Sequence, residues 1–403
     1  MGIKDLYKVI NENAPECRSV YHLSDFRGYR FAVDVSIFLN KYIKSAGEKL
    51  WMNTFFLFLC TLKKHGIKTV CVFDGPNPPP EKLQEQQSRR NQGQKSRDRL
   101  KRCKEVFKIL TNAYNQGSRL VSKELQEECK ILFGTPRNNN RDYEWAEVTD
   151  AMDGINNATD RLARATIAIT SKHREDAKKI VEMMGIPFFQ ADGEAEALCA
   201  HLAIHGHADA VLTEDTDVLA YGSPWMVAFK DFKLSEERIH AIHLETLLEQ
   251  LSLNQREFRD LCILLECDYN HRIMGYPPGK PNRKKPICIG YKNALLMINE
   301  YRNFEEMINY IPDPSPLIWE RCREIFTPPL SDEFTKLIGV VPLNKKPDIE
   351  SIKKFIIDEK LTISIDYIKN CWKPIKITFQ SDNTPHVDSN EEDTAINEII
   401  NLI

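Results

Sequence analysis

The sequence lacks the patterns that mark several common classes of protein. Its eleven cysteines form no CxxC pair and have no regular spacing, which argues against a zinc module and a secreted disulfide framework. No stretch approaches the roughly 18 consecutive apolar residues of a membrane-spanning helix. The start, MGIKDL, is not a signal peptide, and Leu6 stands where a myristoylation motif has Ser or Thr. We therefore expect an intracellular protein in a reducing compartment, with no membrane partner.

The net charge is small, but the charges are unevenly distributed. The formal net charge is −3 over 403 residues. Residues 81–108 carry ten Lys or Arg against four Asp or Glu, and their apolar residues recur at helical spacing. Residues 142–160 and 381–399 each carry six acids and no Lys or Arg. We expect a helix with a basic face in the first of these ranges and a solvated tail in the last.

Apolar runs alternate with helical patterns over the first half of the chain. Three of these runs predict strands buried on both faces of a parallel sheet: YRFAVDV (29–35), KTVCVFDG (68–75) and ADAVLTED (208–215). Residues 51–66 and 194–206 predict two of the helices, and the segment between Asp74 and Glu194 has no strand signal. This order predicts an α/β fold, in which ligands bind beyond the carboxyl ends of the strands.

Acidic residues follow the predicted strands and begin or end the predicted helices. They are Asp34, Asp74, Glu194, Glu196, Asp215, Asp217 and Asp268. Acids that converge repel one another unless their pKa values rise or a cation binds. Oxygen ligands without His or Cys suit Mg²⁺ or Mn²⁺, and two such ions about 4 Å apart can clamp the oxygens of a phosphodiester. A single DxD at a strand end is more often a solvated turn, so these residues alone leave both interpretations open.

Seven motifs in one order connect the chain with a known family. They are MGIKDLYKVI, AVDVSIFLNKY, CVFDG, GEAEALCAHL, VLTEDTDVLAYGSP, LNQREFRDLCILLECDY and IGYKNALLMI. Together they resemble the flap endonucleases and xeroderma pigmentosum group G type nucleases, a family of structure-specific 5′ nucleases. The resemblance runs from residue 1 to about 375 and is interrupted in the region that matches the family's helical arch.

The resemblance implies a PIN-like fold with a central, mostly parallel sheet, a helical arch and a helix–two-turn–helix element. It divides the chain into a nuclease region with the start of the arch (1–103), an enlarged arch insertion (104–160), an internal nuclease region (161–330) with the helix–two-turn–helix at about 262–300, a C-terminal helical part (331–380) and an acidic tail (381–403).

The resemblance also implies roles for particular residues. The seven acids match the family's metal-site carboxylates, which hold two Mg²⁺ ions, with Mn²⁺ as a substitute. Lys82 and Arg89 match the Lys and Arg at the base of the arch, where a cation offsets charge on the scissile phosphate. Another set matches DNA-contacting positions: Gly2, Tyr42, Arg90, Gly275, Gly290 and Lys292. The helix–two-turn–helix would hold a K⁺ ion and phosphates of the duplex.

Four features depart from the family pattern. Residues 276–288 are inserted in the helix–two-turn–helix and bring Lys280, Arg283, Lys284 and Lys285. Asn40 stands where the family has a base-stacking aromatic or His, and Tyr42 lies about 200° further round the helix, which puts base stacking in doubt. The arch is enlarged around Tyr143 and Trp145. The C-terminus has no sliding-clamp box, so recruitment by the clamp is not supported.

The sequence thus predicts a monomeric, Mg²⁺-dependent 5′ flap endonuclease and 5′–3′ exonuclease that acts on branched DNA. It would work in the nucleus of a eukaryote, or at the site of replication of a large DNA virus. The alternatives are a preference for nicks, bubbles or four-way junctions, a non-catalytic junction-binding factor, and RNA as the substrate. The non-catalytic alternative would expect losses among the acids, and all seven are present.

Overall fold

The computed structural model describes residues 2–133, 145–229, 237–278, 285–327 and 345–373. Several predicted features lie outside these residues: Tyr143, Lys280, Arg283, Lys284 and the acidic tail 381–403. Among the helices that the structure describes, none is long and apolar enough to cross a membrane.

A twisted sheet forms the centre of the fold. Its strands are β1 (Arg18–His22), β2 (Arg30–Asp34), β3 (Lys68–Phe73), β4 (Phe188–Gln190), β5 (Ala210–Leu212), β6 (Trp225–Ala228) and β7 (Arg238–His243). Their order is β1-β7-β6-β5-β2-β3-β4. The pairs from β6 to β4 are parallel, whereas β7 pairs antiparallel with both β6 and β1. The mostly parallel sheet of an α/β fold is therefore confirmed.

α-Helices form much of the remainder of the described chain. The helices in the first half are α1 (Leu6–Asn13), α2 (Val35–Ala46), α3 (Trp51–Lys64), α4 (Leu83–Asn115), α5 (Lys123–Phe133), α6 (Val148–Ala165), α7 (Ser171–Met183) and α8 (Ala195–Ile204). Those in the second half are α9 (Asp217–Tyr221), α10 (Leu244–Leu251), α11 (Gln255–Leu265), α12 (Tyr291–Tyr301), α13 (Phe304–Met307), α14 (Trp319–Ile325), α15 (Ile349–Asp358) and α16 (Ile365–Cys371). A short hairpin, β8 (Met274–Gly275) with β9 (Ile287–Cys288), connects α11 to α12.

The three strands predicted from the sequence are present as β2, β3 and β5. The prediction of no strand between Asp74 and Glu194 was wrong, because β4 lies there and pairs with β3. This strand has only three residues, and none of them is fully buried. Its sequence, FFQ, follows Pro187 and is too short to show a periodic pattern.

Strand register brings the acidic strand ends to one edge of the sheet. Ala32 and Val33 of β2 pair with Val211 and Leu212 of β5, and Asp34 pairs with Val72 near the end of β3. Because these strands are parallel, the residues that follow them emerge at the same edge. Asp34, Asp74 and Asp215 are therefore neighbours in space although they are far apart in sequence.

The chain forms two compact units. The first, which we call the sheet unit, comprises residues 1–39, 52–83 and 171–403 and contains the sheet. The second, which we call the arch unit, comprises 40–51 and 84–170.

The arch unit has an apolar core of its own. Buried residues of α4, α5 and α6 form it: Cys103, Val106, Leu110, Val121, Cys129, Leu132, Val148, Ala151 and Ile155. These three helices therefore pack against one another as a small bundle. The domain boundaries given above stay predictions.

Candidate active site

Three acids at the carboxyl edge of the sheet begin the site. Asp34 is the last residue of β2, and its carboxylate accepts a hydrogen bond from the backbone N–H of Ser36 at 3.1 Å and one from the Thr213 hydroxyl at 3.4 Å. Asp74 follows β3, and its Oδ1 accepts from the backbone N–H of Ala195 at 3.0 Å, in the first turn of α8. The loop after β5 carries Asp215, whose Oδ1 accepts from the N–H of Asp217 at 3.1 Å.

Helix N-termini bring further acids to the same place. Glu194 is the N-cap residue of α8, and Glu196 lies in the first turn of that helix. Asp217 is the first residue of α9. The positive end of a helix dipole favours negative charge at these positions. Together with Asp268, which follows α11, the seven predicted acids form what we call the acidic cluster.

Electrostatic repulsion within the acidic cluster is strong. Burial raises the pKa of Asp34 well above its ordinary value, and the charges of Asp74 and Asp215 raise it further. The pKa of Asp217 is likewise raised, by burial first and then by Asp215 and Asp268. Buried carboxylates with raised pKa values need a cation nearby if they are to be ionised at neutral pH.

One such cation belongs to the protein itself. The Lys82 ammonium forms an ion pair with Glu194 and lies 3.5 Å from carboxylate oxygens of Glu196 and of Asp268. Burial alone would lower the pKa of Lys82, but these carboxylates outweigh burial and raise it. Lys82 is therefore charged and buried among the acids, and its role near a scissile phosphate stays a prediction.

One carboxylate of the cluster has no hydrogen-bond partner. Both oxygens of Asp217 are buried, and within the described chain no donor reaches them. An ionised carboxylate left in this way is costly, and a metal ion would supply the missing partner. As the described side chains stand, no three of His, Cys, Asp and Glu are arranged to hold a metal ion. Lys82 instead contacts three of the acids.

Two tyrosines of the site were missed by the sequence analysis. The hydroxyl of Tyr269 donates to Oε2 of Glu194, and the hydroxyl of Tyr221 lies 3.4 Å from that of Tyr269. Both side chains are buried. Glu194 and Tyr269 are 75 residues apart, so only the tertiary fold brings them together. No local sequence pattern signals that contact.

Gly2 lies against the acidic cluster. Its φ is +86°, and a Cβ there would be 2.2 Å from Oδ1 of Asp215 and 2.6 Å from the Thr216 hydroxyl. Only glycine fits this position, because any side chain would meet both the strain of a positive φ and these atoms. The next residue is fixed as well, since the N–H of Ile3 donates to the Thr216 hydroxyl at 2.9 Å.

The remaining predicted residues of the arch belong to the arch unit. Arg89 lies on α4 and pairs with Glu85, one turn earlier, at 2.7 Å. Arg90 is exposed on the same helix. Tyr42 in α2 is buried, with only 5% of its surface exposed. That burial argues against stacking on a base, so the role given to Tyr42 stays a prediction.

The predicted phosphate-binding element contains α11, the hairpin and α12. Gly275 ends β8, and Gly290 is the N-cap residue of α12, with open space where a Cβ would stand. Lys292, in the first turn of α12, is 70% exposed and lies 3.4 Å from Glu12. A helix N-terminus with a glycine cap and an exposed lysine is suited to a phosphate group.

Comparisons with known proteins agree with this fold. The XPG N-terminal domain matches residues 1–96, and the XPG I-region matches residues 185–268. The chain is 31% identical over 396 residues to Flap endonuclease 1 of Ajellomyces dermatitidis, with 92% of this chain and 83% of that protein covered. It is 29% identical over 409 residues to Flap endonuclease 1 of Caenorhabditis elegans, with coverage of 96% and 90%.

Solved structures share the fold at lower identity. The catalytic core of Rad2 in complex with a DNA substrate has a TM-score of 0.56 at 17% identity, over 92% of this chain and 98% of that one. Flap endonuclease-1 of Methanococcus jannaschii has a TM-score of 0.52 at 21% identity, over 88% and 96%. The fold is that of these 5′ nucleases. The chain belongs to the flap endonuclease and XPG family of DNA nucleases.

Proposed function

We propose that this protein is a structure-specific 5′ flap endonuclease with 5′–3′ exonuclease activity that hydrolyses phosphodiesters in branched DNA. Its relatives of similar length are flap endonucleases. The observation that carries the proposal is the acidic cluster: residues from five separate parts of the chain converge at one edge of the sheet, around a buried lysine. A protein that only binds junctions has no use for acids that repel one another in this way.

The chemistry of the acidic cluster suits a divalent metal ion, although the described side chains do not stand in a three-ligand arrangement. The donor set is all oxygen, which suits Mg²⁺, with Mn²⁺ as a substitute. Among the described residues, no hydrogen-bond partner reaches the two buried oxygens of Asp217. Asp34 has a raised pKa, which a nearby cation would lower. We propose that the seven acids hold two Mg²⁺ ions, directly or through water. Such ions supply a nucleophilic water at neutral pH and neutralise charge on the phosphate.

The side chains of the protein complete the site. Lys82 places a fixed positive charge among the acids, where it can offset the charge that grows on the phosphate during cleavage. Arg89, seven residues further on, is proposed to do the same from α4. Gly2 allows backbone to approach closely beside Asp215, which would admit a DNA strand to the site.

DNA binding is proposed to rest on phosphate contacts. The basic face of α4, including Arg90, would bind the 5′ strand, while Gly275, Gly290 and Lys292 would bind the duplex together with a K⁺ ion. Phosphate contacts of this kind fix the position of the DNA and do not depend on its base sequence. We propose that the protein acts as a monomer, in the nucleus of a eukaryote or at the site where viral DNA is replicated.

A cleavage assay tests the function. Purified protein is incubated with a 5′-labelled DNA flap in Mg²⁺ or in EDTA, beside Asp217→Asn. We expect cutting near the junction that requires Mg²⁺ and falls by at least about 10³-fold in the variant, because an essential metal ligand is lost. Nicked, bubble, four-way and RNA substrates in parallel rank the preference. Tight flap binding without cutting, in Mg²⁺ or Mn²⁺, would overturn the proposal in favour of a junction-binding factor.

A further inference from the structure

Buried hydroxyl and aromatic groups lie next to Glu194 of the acidic cluster. Glu194 is held from two sides: the Lys82 ammonium contacts its Oε1, and the Tyr269 hydroxyl donates to its Oε2. The ring of Tyr269 also lies 5.9 Å from the Lys82 ammonium, within the range of a cation–π contact. Tyr269 therefore contacts both the Glu194 carboxylate and the Lys82 ammonium that pairs with it.

A second layer holds Tyr269 in place. The Tyr221 hydroxyl lies 3.4 Å from the Tyr269 hydroxyl. The ring of Phe326 meets Tyr269 edge-on at 5.6 Å between centroids and meets Tyr221 in the same way at 5.1 Å. All three rings are buried, with at most 5% exposed. Packed rings of this kind have little rotamer freedom, so the Tyr269 hydroxyl has a fixed position.

We propose that Tyr269, backed by Tyr221 and Phe326, is a positioning residue that fixes the Glu194 carboxylate and the Lys82 ammonium for metal binding and catalysis. This rests on the proposed function of the acidic cluster. Glu194 is an N-cap residue whose side chain makes no capping hydrogen bond, so its helix alone does not orient it. Without the Tyr269 hydroxyl, one oxygen of Glu194 loses its fixed donor, and the carboxylate is free to turn within the cluster.

The magnitude follows from the behaviour of groups that orient metal ligands. Loss of such a partner typically costs about 10- to 100-fold in metal affinity or activity. Removal of the Tyr269 hydroxyl should therefore weaken divalent-ion binding about tenfold and lower kcat by a similar factor. The KM for DNA should stay the same, because Tyr269 is buried and does not contact solvent. The Tyr221 hydroxyl contacts the Tyr269 hydroxyl and acts on Glu194 through it, so its loss should have a smaller effect in the same direction.

The test uses Tyr269→Phe, which keeps the ring and removes only the hydroxyl. Tyr221→Phe gives the graded comparison. Tyr310→Phe is the matched control, since Tyr310 stacks on Tyr301 at 4.3 Å in another part of the sheet unit. Full-length proteins are compared by titration with Ca²⁺ in a calorimeter and by kcat and KM on a DNA flap with Mg²⁺. Melting curves confirm that each variant is folded.

The result expected is weaker Ca²⁺ binding and a lower kcat for Tyr269→Phe, a smaller change for Tyr221→Phe, and wild-type values for Tyr310→Phe. Wild-type Ca²⁺ affinity in a folded Tyr269→Phe would overturn the positioning role. A change confined to the melting temperature would also overturn it, because a merely structural tyrosine behaves in that way. If the wild type cuts no flap, the proposed function fails, and the Ca²⁺ titration still decides the role of Tyr269.

Discussion

Charged side chains have opposite environments in the acidic cluster and in the arch unit. In the acidic cluster, distant parts of the chain bring carboxylates together, and burial raises the pKa values of Asp34 and Asp217. In the arch unit, charges are exposed and paired within a helix or with the next one. Arg89 pairs with Glu85, and Arg102 pairs with Glu105 and Glu128. The first pattern costs stability and is expected at a site of chemistry, whereas the second is that of a solvated surface.

This difference indicates which substitutions should change function and which should not. A charged side chain that is buried at a cost in stability is expected to be needed for function. Its replacement is expected to change the properties of the side chains that contact it. A charge that is paired locally in water, such as that of Arg102, can be replaced with little effect on stability. The arch unit also has a small apolar core of its own, which can be tested separately.

Among the basic residues, the largest effect is expected at Lys82. Lys82→Met removes the only ammonium seen among the described side chains of the cluster, so kcat on a flap should fall by about 10²-fold. Lys104→Met is the matched control, because Lys104 is exposed on α4; its kcat should stay within about twofold, with a weaker salt dependence of binding. Single-turnover cleavage measures both. Equal losses of kcat for Lys82→Met and Lys104→Met would show that burial among the acids does not set the size of the effect.

A core substitution should show that the arch unit has its own stability. Leu110 is fully buried in the arch core, so Leu110→Ala should cost about 2–4 kcal/mol there. Ile109, its neighbour, is 46% exposed, and Ile109→Ala should change little. Hydrogen exchange read peptide by peptide should show faster exchange in α4, α5 and α6 and unchanged exchange in the sheet. Loss of protection in both units would mean that they unfold together.

A paired carboxylate of the sheet unit gives the opposite pH dependence from the cluster. Burial alone would raise the pKa of Glu237, but the nearby His65 and Lys64 lower it to about 2. His65 lies 2.9 Å and Lys64 lies 3.3 Å from its carboxylate. Because the folded pKa is depressed, this pair stabilises the protein above about pH 4.5, and the gain is lost as the pH falls towards 2.

Glu237→Gln tests this pair by urea unfolding at several pH values. After allowance for solvent screening, the variant should be less stable than the wild type by about 1–2 kcal/mol at pH 6. The deficit should shrink as the pH falls below 4.5. A deficit that stays constant with pH would show that the loss comes from packing and not from the charge of Glu237.

The smallest effect is expected at Arg102. This exposed side chain of the arch unit pairs with Glu105 at 2.9 Å and with Glu128. Arg102→Gln should shift the melting temperature by no more than about 1 °C, and about 0.5 M salt should remove even that shift. A scanning melt at two salt concentrations measures it. A large shift that salt leaves unchanged would mean that local pairs hold the arch together.

The sequence predicted those parts of the fold that local patterns encode. β2, β3 and β5 are continuous apolar runs that end in acids, and parallel pairing then brings Asp34 and Asp215 together. β4 was missed, because three residues carry no period. β7, with the sequence RIHAIH, was missed as well, since its alternating histidines do not read as a buried strand. Its antiparallel pairing with β1 joins segments more than two hundred residues apart.

The same distinction holds for the site. The seven acids were predicted because they lie in contiguous motifs that resemble those of a known family, and Lys82 because it matches the Lys at the base of that family's arch. Their roles stay predictions. Tyr269 and Tyr221 lie inside two of these motifs, but their roles come from contacts with Glu194 and Phe326. Burial and tertiary packing create those contacts, and neither property can be read from residue spacing.

One measurement tests the central claim most directly: the melting temperature of the wild type and of Asp217→Asn, each in EDTA and in Mg²⁺, at neutral pH. The claim is that Asp217, a buried carboxylate without a hydrogen-bond partner among the described residues, is there to bind a metal ion. Since burial and neighbouring acids raise its pKa, the ionised form opposes folding at neutral pH, and asparagine removes that cost. The account predicts that the variant is more stable in EDTA by about 2–5 °C, and that Mg²⁺ stabilises the wild type more than the variant. A variant that is less stable in EDTA, or a wild type that Mg²⁺ leaves unchanged, would contradict it.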